Sequence, residues 1–95
     1  MNIKELHTIN TDVQTDVMFT AAEGKVISLQ ILKGGQLKEH ITKIPALLIC
    51  VSGNAIYEDE KGVTVILFSG DFVKIESNVK HWVNGVENTN LLLIK

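Results

Sequence analysis

Three histidines and one cysteine carry most of the chemistry that this sequence offers. An imidazole titrates near neutral pH, moves protons and ligates transition metals. His40 and His81 each lie in an expected strand, whereas His7 lies in an N-terminal stretch without a clear strand pattern and reads as exposed surface. Cys50 sits inside ALLICVS, with no basic residue expected beside it to lower its pKa. It reads as a small buried hydrophobe rather than a nucleophile. A single cysteine also excludes an intramolecular disulfide and a CxxC metal or redox site. Glu58-Asp59-Glu60 is a charge run at an expected hairpin tip, which fits a solvated loop. There is no GxSxG, no Walker glycine loop and no Ser-His-Asp order signature.

Composition narrows the field further. All nine basic residues are lysines and the net charge is −2. Without arginine there is no bidentate fork for phosphate or guanine, which argues against nucleic acid as a partner. The longest apolar run, Ala46–Val51, is far short of the roughly 20 residues of a membrane span. The start, MNIKELHTIN, has no apolar signal-peptide region, so the cytoplasm is the expected compartment. With 45% hydrophobic and 21% charged residues, the 95-residue chain has the make-up of one globular domain, expected to span 1–95.

The elements that must position these residues are strands. Lys25–Lys33 alternates, with Ile27, Leu29 and Ile31 on one face and Ser28 and Gln30 on the other. Gly34-Gly35 breaks it, and Gln36–Lys43 reads as a second strand ending at Pro45. Ala46–Ser52 is apolar on both faces, so both should be covered. Asn54–Asp59 and Val63–Phe68 flank Glu60-Lys61-Gly62 as a hairpin. Phe72–Ile75, His81–Val83 and Leu91–Ile94 follow, with a loop over Glu76–Lys80. Residues 1–24 are less regular; Asp12–Phe19 reads either as a helical turn or as a kinked strand. Many short strands with Gly and Asn turns indicate an all-β antiparallel sandwich or barrel. A barrel of this size holds side chains or one small ligand.

The stretch Gly34–Gly85 resembles the cupins, single-domain jelly-roll barrels of antiparallel strands. At the spacing of the first cupin motif (region 34–53) stand Gly34, His40, Thr42, Ala46 and Gly53, where the family has G, H, H, E and G. At the spacing of the second (region 70–85) stand Gly70, Glu76, Asn78, His81 and Gly85, where it has G, P, G, H and N. The wording LLICVSGNA, SGDFVKI and HWV is similar too. Gly34, Gly53 and Gly70 are expected at positive φ, and Asn78 is the next-best residue for the left-handed turn at which the family has glycine.

The resemblance implies a metal site built from the two histidines and the glutamate of motif 1 and the histidine of motif 2. Here Thr42 and Ala46 replace two of those four ligands, and protein centres for Fe, Mn, Ni or Zn usually need three. Three readings of His40 and His81 stand side by side. They could form a remodelled metal site with Glu76 or His7 as third ligand, serve as polar groups in a metal-free ligand pocket, or be structural. The leading expectation is a barrel that binds a small organic ligand with no cofactor. Its pocket would hold His40, Thr42, Leu48, Cys50, Tyr57 and His81. The alternative is a metal-dependent dioxygenase- or isomerase-like enzyme using His40, His81 and Glu76. By alternation Lys38 should face inward with His40 and Thr42, Asp59 with Ala55 and Tyr57, and Val73 with Ile75. Leu47, Ile49, Val51 and Trp82 should face outward, forming one apolar patch for a homodimer unless residues 1–24 cover it.

Overall fold

The computed structural model describes all 95 residues, Met1–Lys95. It contains nine strands: β1 (Val13–Ala21), β2 (Gly24–Ile31), β3 (Gln36–His40), β4 (Ala46–Ser52), β5 (Ala55–Asp59), β6 (Thr64–Leu67), β7 (Phe72–Ile75), β8 (His81–Gly85) and β9 (Thr89–Ile94). They form two antiparallel sheets, a five-stranded one in the order β1-β2-β9-β4-β7 and a four-stranded one in the order β3-β8-β5-β6. Their inner faces meet in a core that includes Leu29, Ile31, Leu48, Leu67 and Leu91, each no more than 1% exposed. Period-two alternation accounts for this: Ala46, Leu48 and Cys50 are buried while Leu47 and Ile49 are half-buried. Val73 and Ile75 face in as expected, and so do Ala55 and Tyr57.

The turns follow from backbone chemistry. Gly53 has φ +101°, and a Cβ there would lie 2.4 Å from the Asn88 carbonyl oxygen, so both conformation and space require glycine. Asn78 takes φ +62°, the left-handed turn expected of it. Asp12–Phe19 resolves as the kinked strand: between Val17 and Phe19, β1 carries one more residue than β2.

A second bulge overturns an expectation. On β3, Leu37 pairs with Val83 and His40 with His81, so three steps on β3 match two on β8. The extra residue breaks the alternation. Leu37 packs on the core and His40 still points inward, while Lys38 is exposed rather than facing the lumen. The strand also ends at His40, short of Lys43. Thr42 therefore lies in the β3–β4 connection, yet it is only 6% exposed.

The N-terminal segment forms a 3₁₀ turn, Ile3–Leu6, and is not free surface. His7, expected to be exposed, is half-buried on the outer face of the five-stranded sheet. Its Nδ1 donates to Gln14 Oε1 at 3.2 Å and its Nε2 accepts from Ser28 Oγ at 2.7 Å. This explains why Ser28, on the outward side of β2, is fully buried. The single outward apolar patch is also corrected. Leu47, Ile49 and Val51 lie on β4 of one sheet, whereas Trp82 lies on β8 of the other. Their outward faces belong to opposite layers.

Candidate functional site

The bulge in β3 and the pairing of β3 with β8 bring His40 and His81 face to face. Their Nε2 atoms are 3.1 Å apart and the rings meet edge to face, with centroids 4.2 Å apart. His81 is buried and half-exposed His40 covers it. Each Nδ1 faces a carbonyl oxygen at 3.1 Å, that of Lys38 for His40 and that of Val79 for His81. Carbonyl oxygens only accept, so both Nδ1 atoms carry hydrogen. With that tautomer on both rings the facing Nε2 atoms are both acceptors, so a hydrogen bond between them requires one additional proton. Burial is the main reason that the His81 pKa is lowered; the charges of His40 and Lys95 add to it, and the Val79 carbonyl opposes it.

Tyr57 stacks on His81 from β5, with ring centroids 5.8 Å apart. Its hydroxyl donates to Asp59 Oδ2 at 3.4 Å. Burial, and then the Asp59 carboxylate, push the phenol up to about 12, so it stays protonated at neutral pH. Asp59 was expected in a solvated charge run, but its other oxygen accepts from the amides of Lys61 and Val63 and fastens the hairpin turn. Cys50 is fully buried, and its thiol pKa is raised by burial and by the charge of Asp71. Both disfavour the thiolate form.

A cavity of about 550 Å³ opens beside the histidine pair. The end of β1 supplies Thr20, the β1–β2 turn Glu23, the start of β2 Lys25, the end of β3 His40, the β3–β4 connection Thr42 and Lys43, and the chain after β9 Lys95. Of the expected pocket residues, His40 and Thr42 line this cavity. Leu48, Cys50 and Tyr57 instead belong to the packed core, and His81 lies beneath His40 rather than in the cavity wall. Thr42 is buried with no hydrogen-bond partner on its Oγ1. The lysines were missed because they are far apart in sequence and no local pattern marks them as neighbours.

The metal centre implied by the resemblance does not form from these donors. Two imidazoles converge, but Thr42 and Ala46 hold the other two motif positions. Glu76 is exposed and paired with Lys61 at 2.6 Å, and His7 is committed to the outer sheet face. No three His, Cys, Asp or Glu side chains come together as a metal-holding group.

No family model and no curated protein matches the sequence. Solved structures match the fold closely. A cupin superfamily protein from Desulfitobacterium hafniense superposes with TM-score 0.85 at 13% identity, covering 98% of this chain and 84% of that one. A cupin-2 domain-containing protein from Shewanella frigidimarina gives TM-score 0.81 at 13% identity, covering 100% and 92%. A cupin-like protein from Thermotoga maritima gives 0.79 at 22% identity, covering 87% and 67%. The two-sheet, all-β architecture is therefore the cupin fold, as the motif spacing implies. No helix is long and apolar enough to cross a membrane.

Proposed function

We propose that this chain is a small-molecule-binding cupin whose ligand occupies the cavity beside His40 and Thr42. The observation that carries this is a cavity of about 550 Å³ whose wall is built by distant parts of the chain, with His40 and Thr42 in it. That volume lies within the range of small-ligand sites. The packed core closes the barrel interior, so the ligand sits at the mouth rather than deep in the lumen. No group here has the exposure and activation of a nucleophile, which favours binding over covalent catalysis.

The test is backbone amide NMR on chelated, dialysed protein with a panel of small polyols, hexoses and hydroxy acids. Shifts should concentrate at residues 20–25 and 40–44. A panel that moves none of these resonances, or only resonances elsewhere, would overturn the assignment.

We also infer that two copies pair through the outer face of the five-stranded sheet. Register places Phe19, Val26, Ile94 and Leu47 in one row, and Leu92, Ile49 and Phe72 in the next. Phe19 and Phe72 are 61% and 57% exposed, so this face is apolar and incompletely covered by the N-terminal turn.

A further inference from the structure

We propose that the cavity takes a small hydroxylated anion, a sugar-sized molecule bearing a carboxylate or a phosphate. This rests on the cavity being the ligand site and names the chemistry that it selects. Three lysines from three separate elements, Lys25, Lys43 and Lys95, line one opening. None of them makes an ion pair; the three salt bridges of the chain involve Met1, Lys61 and Lys80. Glu23 is the one acidic side chain in the wall.

The chain as a whole carries a net charge of −2, so this local excess of positive charge runs against its average. Exposed Thr20 adds a polar side chain to the wall. Ammonium groups recognise anions as point charges without the planar fork of arginine, so they accept a carboxylate or a phosphate alike. The Thr20 hydroxyl can pair with a hydroxyl group on the body of the ligand.

A set of probes matched in carbon skeleton tests this: glucose, gluconate and glucose 6-phosphate, titrated by NMR at residues 20–25 and 40–44. Three partly exposed charges should make one of the two anions bind about ten-fold tighter than glucose at low salt. Raising NaCl to about 0.5 M should erase most of that preference through screening. Whichever anion binds tighter identifies the charged group. Lys25→Gln, Lys43→Gln and Lys95→Gln together should reduce the preference to about two-fold or less, and the salt series on the parent protein stands alone should that variant fold poorly. Glucose binding as tightly as both anions would overturn the anion assignment while leaving the cavity as the ligand site. Failure of all three probes to shift these resonances would overturn both.

Discussion

Thr42→Val isolates the one buried polar atom in the cavity wall that the protein leaves unpartnered. Thr42 is 6% exposed and its Oγ1 meets no hydrogen-bond partner, while its backbone carbonyl accepts from the Asn78 amide at 2.7 Å. Valine keeps the β-branched shape and that backbone bond and replaces only the hydroxyl with a methyl. Removing an unpaired buried hydroxyl recovers part of a penalty of about 1–3 kcal/mol, so the ligand-free variant should gain about 1–2 kcal/mol. For a domain of this length that corresponds to a rise in Tm of roughly 5–10 °C. Thr42→Ser supplies the opposite control. It keeps the hydroxyl and loses the methyl, which should cost about 1 kcal/mol. Calorimetric melts of the three chelated proteins decide the matter. Gain for valine, loss for serine and weaker ligand shifts for valine are expected together. A valine variant less stable than the parent by more than about 0.5 kcal/mol would refute the reasoning, because the hydroxyl would then be satisfied in the free protein.

Tyr57 predicts an alkaline loss of stability. The phenol ionises near 10 in the unfolded chain and is pushed up to about 12 in the fold, so its contribution is intact below pH 10 and is lost as pH rises toward 12. Denaturant titrations at about pH 9 and about pH 11.5 should differ by roughly 2 kcal/mol more for the parent than for Tyr57→Phe, and equal losses would disprove the assignment. Ile49→Lys puts a charge in the middle of the outer apolar face and should weaken self-association by about thirty-fold or more in sedimentation. A parent that sediments as a folded monomer at micromolar concentration rules out the dimer. Elemental analysis of untagged, dialysed protein should find no stoichiometric transition metal, and one retained equivalent of Fe, Mn, Ni or Zn would require a third ligand that the present donors do not supply.

Strand content, the hairpin tip and the left-handed residues were legible because each depends on a few neighbouring residues. Alternation in Ala46–Ser52 and Phe72–Ile75 marks the inward side chains, and Gly53 and Asn78 announce their turns by backbone chemistry. The spacing of Gly34, His40, Gly53, Gly70 and His81 was enough to point to the cupin fold, which solved structures at TM-scores of 0.79 to 0.85 bear out.

What escaped the sequence were departures from period and the meetings of distant segments. A bulge in β3 turns Lys38 outward and Leu37 inward, and nothing within Gln36–His40 signals it, because a bulge is set by the pairing with β8. Ser28 is buried only because His7, twenty-one residues earlier, folds over it. The cavity draws on a turn, a connection and the chain after the last strand, so the convergence of Lys25, Lys43 and Lys95 is a property of topology. Trp82 and Ile49 look alike in local alternation, and only their assignment to different sheets separates their outward faces. Local patterns specify which side of a strand a residue takes; which strands lie together, and therefore which side chains share a cavity, follows from how the two sheets pack.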